Sequence, residues 1–143
     1  MNRVREILDE KGSEVLQIEG DATVFDTVKC MVDAGVGSLL VTQGGEISGI
    51  FTERDYLRRM TLEERDAKET SVGEVMSSPL IVVTPDTPID ECMALMTDRR
   101  IRHLPVVESG QVVGVVSIGD IVKFKSKQQS FEIQYLTDYI TAG

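Results

Sequence analysis

At 143 residues and 41% apolar composition, the chain holds enough material for one well-packed domain or two small ones sharing a core, and too little for large multi-domain catalysis. Its 24 acidic side chains against 15 basic ones leave a formal charge of −9, which repels phosphate backbones over most of the surface and argues against nucleic acid as a partner. No apolar run approaches the roughly 20 residues that span a bilayer, and the N-terminal MNRVREILDEKG is polar and amphipathic without the apolar core of a signal peptide, so no membrane partner is expected and the expected compartment is the cytoplasm.

In chain order, Val4-Arg5-Glu6-Ile7-Leu8 predicts a short helix leading into a first strand. Residues 15 to 57 read as strand, helix, strand, strand, helix; SLLVTQGGEISGIF is a hairpin turning at Gly44-Gly45, and Thr52 begins the closing helix. The polar stretch TLEERDAKETS (61 to 71) is a linker whose charges suggest a solvated or frayed helix. Val72-Gly73-Glu74-Val75-Met76 then repeats the short lead-in helix. LIVV (80 to 83) is a short β-branched run ended by Thr84-Pro85-Asp86-Thr87-Pro88. Thr87 is placed to cap the next helix, with Pro88 at its first position, and Ile89, Cys92, Met93 and Met96 share one face that should be core. HLPVVESGQVVGVV is a second hairpin, and Ser117 opens the helix that closes this copy. Beyond residue 126, Phe131, Ile133, Tyr135, Leu136, Tyr139 and Ile140 cover about half the circumference of a terminal helix, a face that needs a partner surface.

These elements recur because the sequence repeats. Residues 15 to 57 align with 80 to 122 at an offset of 65 without a gap, and eight of the 43 pairs are identical, among them Leu39/Leu104, Val41/Val106, Gly49/Gly114 and Asp55/Asp120. The lead-in segments match at 68 instead. The boundaries that follow are a first repeat with its lead-in helix over 1–62, a linker over 63–78, a second repeat over 79–126 and a C-terminal helix over 127–143. A single three-stranded sheet covered on one face is too little core to stand alone. The expected fold is therefore α/β (α+β), two β-α-β-β-α repeats packed about a pseudo-two-fold axis that leaves two quasi-equivalent clefts.

Cys30 and Cys92 have no CxxC spacing and His103 is the single histidine, so neither a zinc site nor a dithiol motif can be assembled, and both cysteines read as small semi-buried hydrophobes. Neither a nucleophile elbow nor a Walker motif is present, and no catalytic residue or catalytic cofactor is expected. Thr52 followed by Asp55, and Ser117 followed by Asp120, are each a complete helix capping box, and from the residues alone that is a sufficient account of them. Arg99 and Arg100 fit a cationic helix C-terminus; Arg102, at the start of a strand, is not explained that way.

Gly49-Ile50-Phe51-Thr52-Glu53-Arg54-Asp55 and Gly114-Val115-Val116-Ser117-Ile118-Gly119-Asp120 resemble the signature of cystathionine β-synthase (CBS) domains, glycine and then a hydroxyl residue three before an aspartate; Arg102-His103-Leu104-Pro105-Val106-Val107 resembles the motif preceding it. The resemblance spans nearly the whole chain and is to small bacterial two-CBS proteins and plant organellar ones, and more distantly to the inserts of inosine monophosphate dehydrogenase and the γ subunit of the AMP-activated kinase. It implies a homodimer in which four repeats form a flat disc, and a non-catalytic regulatory module that binds an adenine nucleotide (AMP, ADP, ATP or the adenylate part of NAD(H)) between its repeats, for energy or redox sensing. In the family the hydroxyl and carboxylate of the signature hydrogen-bond ribose, and in the kinase γ subunit the positions matching Arg102 and His103 contact phosphate in their own repeat's cleft while that matching Arg54 reaches the other repeat's cleft. Carried over, the three cations serve the Ser117/Asp120 cleft, and none serves that of Thr52/Asp55. Pro105, Val83 and Ile81 are expected as apolar walls for the purine, although plain core would look the same. The alternative function is a protein-interaction adaptor whose clefts bind no ligand; under either reading the regulated protein is unknown.

Overall fold

The computed structural model describes residues 2–12 and 14–142, with side chains described as far as Ser130. In chain order the elements are α1 (Val4–Lys11), β1 (Gln17–Glu19), α2 (Val24–Ala34), β2 (Ser38–Gln43), β3 (Glu46–Thr52), α3 (Glu53–Asp55), a π-helical turn (Tyr56–Thr61), a 3-10 turn (Val72–Glu74), α4 (Ile89–Arg99), β4 (His103–Glu108), β5 (Gln111–Ser117) and α5 (Ile118–Ala142). They form two compact units, one of residues 15–81 and one of residues 1–14 with 82–143.

In the unit of residues 15–81, Thr23 starts α2 by accepting the Asp26 N–H on its hydroxyl (3.1 Å), and Gly35, at φ 67°, ends it in the left-handed conformation that glycine adopts at little cost. Val24 and Met31, seven residues apart on one helical face, meet Leu39 and Val41 of β2 and Phe51 of β3 in a core completed by Met60, Val72 and Val75. The sheet runs β1-β2-β3, parallel then antiparallel. The linker is turns rather than helix, because its carbonyls are used elsewhere: those of Ala67 and Thr70 accept the Phe25 and Val24 N–H groups at the start of α2 (3.0 and 2.9 Å). The lead-in at Val72–Glu74 is a single 3-10 turn, held by a capping box between Ser71 and Glu74.

The second unit repeats the hairpin residue for residue. Ser38 pairs with Thr52 and His103 with Ser117, Gln43 with Glu46 and Glu108 with Gln111, and the register shifts at the same place in both, after Val41 and after Val106. The offset of 65 is thus also a structural offset. The expected strand at 80–83 is reduced to one bridge, Val83 to Val106, leaving a two-stranded β4-β5 sheet. Prolines at 79 and 85 flank the run and lack the N–H a ladder needs; only Val83 engages Pro105 and Val107 (3.0 and 2.8 Å). Thr87 does not cap α4: its hydroxyl accepts the Thr84 N–H (3.0 Å), and Pro88 holds the cap position that Thr23 holds in the first copy. On α4, Ile89, Cys92 and Met96 are buried as expected, but Met93 is 37% exposed.

The lead-in segments pack opposite to their order in sequence. Val4 and Arg5 donate to the carbonyls of Thr87 and Pro85 (3.0 and 2.8 Å), just as Val72 and Gly73 donate to those of Ala22 and Gly20 (2.8 and 2.9 Å). As a result α1, expected with residues 15–62, joins the unit of the second hairpin, and lies against β5 and α5. The closing helix of the second copy and the C-terminal helix expected over 127–143 are one 25-residue helix, α5. The expected apolar face from Phe131 to Ile140 lies outside the described side chains.

The cysteines differ from each other. Cys92 is fully buried on α4, and that burial, with the nearby Glu91 charge, pushes its thiol up to about 11, so it is inert. Cys30 is exposed rather than semi-buried, because it falls off the Val24–Thr27–Met31 stripe of α2.

Candidate functional site

Six of the residues singled out in the sequence come together in the unit of the second hairpin. His103 and Ser117 are register partners at the end of the β4-β5 ladder, and the Ile118 N–H, at the start of α5, donates to the Arg102 carbonyl (2.9 Å). This bond fixes the backbone of exposed Arg102 at the positive end of a long helix. Pro105 and Val83 are joined by the Val83 N–H to Pro105 carbonyl bond (3.0 Å), and both are buried. Asp120, one turn into α5, accepts the Ser117 N–H on Oδ2 (2.9 Å), while its own N–H donates to Ser117 Oγ (3.1 Å).

The capping box expected of Ser117 and Asp120 is therefore formed, and it engages one carboxylate oxygen. That same Oδ2 also accepts from Lys11 Nζ at 2.7 Å, and Lys11 Nζ donates again to the Val115 carbonyl at 2.6 Å. Burial works against the charge of Asp120, but the Lys11 hydrogen bond, the Ser117 contacts and the Lys11 charge outweigh it and hold the carboxyl below its ordinary value. Asp120 is ionised at neutral pH, an acceptor ready for hydroxyl donors.

In the other unit the quasi-equivalent pair is sealed. Thr52 N–H and Oγ1 both meet Asp55 Oδ2 (3.0 and 3.2 Å), Thr52 Oγ1 accepts the Asp55 N–H (3.2 Å), and Ser77 Oγ donates to Oδ1 (2.8 Å). Both oxygens of Asp55 are engaged and the residue is 8% exposed. Arg54 lies exposed on α3, and Ile81 lies half-buried in the irregular segment before Val82; both belong to the unit of residues 15–81, not to that of Ser117. An open depression of about 590 Å³ in this unit sits at the turn end of the β2-β3 hairpin, lined by Glu19, Asp21, Gln43, Ser71 and Glu74. It includes none of the expected site residues, and its carboxylates give it the wrong sign for phosphate.

Lys11 and Ser77 escaped the sequence reading. Lys11, the last residue of α1 before Gly12, looks in sequence like a cation complementing a helix C-terminus. Only the packing of α1 on the second hairpin brings it to Asp120. Among the described residues no helix is long and apolar enough to cross a membrane, and no cluster of histidine, cysteine and carboxylate side chains could hold a metal.

The profile described as "CBS domain" matches residues 4–62 and again 72–127. A mitochondrial CBS domain-containing protein of Arabidopsis thaliana, CBSX3, is 41% identical over 98% of this chain and 72% of its own length. A candidate signal-transduction protein with CBS domains from Burkholderia ambifaria superposes with a TM-score of 0.82 at 44% identity, over 85% of this chain and 92% of its own. A hexameric CBS-CP12 protein from bloom-forming cyanobacteria does so with a TM-score of 0.77 at 31% identity, over 85% of this chain and 70% of its own. Pairs of this kind are in general regulatory and signal-transduction modules and are typically not catalytic.

Proposed function

We propose, since this chain belongs to the CBS-domain family and carries two CBS repeats, that it is a regulatory module that binds an adenine nucleotide (AMP, ADP, ATP or the adenylate part of NAD(H)) at the Ser117/Asp120 end of its second hairpin. The observation that carries this reading is the inequality of the two signature carboxylates. Asp55 has every oxygen occupied by Thr52 and Ser77, whereas Asp120 shares Oδ2 between Ser117 and a displaceable lysine, and its side chain is 22% exposed. A carboxylate of that kind can accept from a ribose diol. The Arg102 carbonyl is bonded to the N-terminus of α5, where a guanidinium and the helix dipole both favour a phosphate. His103 is the second cation-forming group of the cluster, and Pro105 and Val83 supply apolar surface for a purine.

The test is thermal unfolding with AMP, ADP, ATP, NAD⁺, NADH and S-adenosylmethionine in turn. An adenine nucleotide present at a hundredfold its Kd stabilises the folded state by about 2.7 kcal/mol and raises the midpoint accordingly. If none of the six moves the midpoint, the nucleotide reading fails and the adaptor reading takes its place.

We further propose that the chain acts as a homodimer in the cytoplasm. Supporting self-association are the hexameric state of the cyanobacterial CBS-CP12 relative and the exposure of Val32, Leu57 and Leu62 on the unit of residues 15–81. Light scattering at micromolar concentration should give twice the mass of one chain; a monodisperse monomer overturns it.

A further inference from the structure

The two signature aspartates are served by donors of different kinds at matching places. In the first copy the Ser77 N–H donates to the Ile50 carbonyl (2.8 Å) and its hydroxyl to Asp55 (2.8 Å). In the second copy one group does both tasks: Lys11 Nζ donates to the carbonyl of Val115, the counterpart of Ile50, and to Asp120, the counterpart of Asp55. Ser77 is held beside Asp55 by two backbone bonds to Ile50, so its hydroxyl can turn about a single bond but the residue cannot move away without unpairing the main chain. Lys11 is different. Its ammonium sits at the end of a four-carbon stem, its side chain is 41% exposed, and moving it breaks no bond between main-chain groups.

We propose that Lys11 is a specificity-determining residue of the Asp120 site, one that selects phosphorylated nucleosides over neutral ones. This rests on the nucleotide reading given above and deepens it. A ribose hydroxyl that takes Asp120 Oδ2 must displace the ammonium. A neutral nucleoside leaves the ammonium with the Val115 carbonyl but no anion, and so competes against the Lys11–Asp120 pair. A nucleoside phosphate brings its own anion into the site, and the released ammonium exchanges one oxyanion for another. Lys11 thus opposes binding of the uncharged ligand and favours the charged one, and the discrimination arises from one side chain.

The experiment is calorimetry of AMP and adenosine with the full chain as wild type, Lys11→Met and Lys11→Arg, each first checked for an unchanged thermal midpoint. Methionine keeps the apolar stem and removes the charge. Lys11→Met is expected to weaken AMP about five- to tenfold and to leave adenosine unchanged or somewhat tighter, so that the preference for AMP falls by at least that factor. Lys11→Arg is expected to restore the preference. If Lys11→Met changes both affinities equally, or neither, Lys11 is a structural ion pair and the inference is overturned while the nucleotide reading stands. If the wild type binds neither ligand, that reading fails and this one falls with it.

Discussion

Arg102→Ala should weaken AMP binding roughly ten- to a hundredfold while leaving adenosine nearly untouched, since a charge-assisted contact to phosphate contributes about 1.5 to 3 kcal/mol and adenosine has no phosphate to lose. The substitution removes no described packing: Arg102 is exposed, and its tie to the start of α5 runs through its backbone carbonyl, which alanine retains. Asp120→Ala should weaken both ligands, because it removes the ribose acceptor and also leaves the Lys11 ammonium and the Ser117 N–H without their shared partner. Asp55→Ala should act on stability instead. It leaves the tight site intact and costs about 1 to 2 kcal/mol of stability, because it breaks the cap at the start of α3 and strands the Ser77 hydroxyl. Calorimetry of both ligands against the three variants, with urea unfolding of each, separates these effects. Loss of tight AMP binding in Asp55→Ala with retention in Asp120→Ala would mean that the ligand belongs to the other repeat.

The repeat was legible because hairpin register is set by patterns of period two and by turn residues, both of which are local. Hence Ser38/Thr52 and His103/Ser117 fall where the offset of 65 puts them, and the capping boxes at both signatures could be read from hydroxyl and carboxylate alone. What could not be read was non-local. The lead-in helix has an apolar stripe, Val4, Ile7 and Leu8, that says it packs on something. The sequence offers two similar hairpins, and proximity along the chain predicts the nearer one as its partner. The backbone bonds to Thr87 and Pro85 are matched in kind by those of Val72 and Gly73 to Ala22 and Gly20, and the contacts particular to the second copy, Arg5 with Asp86 and Glu108 and Lys11 with Asp120, are long-range pairs that no propensity encodes. Lys11 was missed for that reason alone. The run 80–83 departs from a strand for a local reason, since the prolines on either side of its β-branched residues lack the N–H a ladder needs.

The exchange of lead-in segments also makes the two signature glycines unequal, and the difference is measurable. A Cβ at Gly49 would lie 2.5 Å from Met76 Sδ, 2.9 Å from Met76 Cγ and 2.9 Å from the Ser77 carbonyl oxygen. A methionine tip can move, but the Ser77 carbonyl is backbone held by the Ile50 N–H at 3.0 Å, so alanine there must push two strands of main chain apart. At Gly114 the nearest atom is Leu8 Cδ2 at 2.7 Å, the next lies at 3.5 Å, and all three nearest belong to one leucine side chain that can rotate. Gly49→Ala should therefore destabilise by about 1 to 3 kcal/mol, in the range of overpacked cores, and Gly114→Ala by about 1 kcal/mol or less. For a chain of this size each kcal/mol lowers the midpoint by about 2 to 4 °C, so the pair is resolvable by thermal or urea unfolding. Adding Met76→Ala to Gly49→Ala removes the sulfur clash and leaves the carbonyl clash, so the double variant should not return to wild-type stability. Displacing Ser77 also takes its hydroxyl from Asp55, and opens in the first repeat the carboxylate that wild type keeps sealed. Equal costs at the two glycines, or a greater cost at Gly114, would show that the contact of Gly49 with the Ser77 backbone does not govern the packing of this segment.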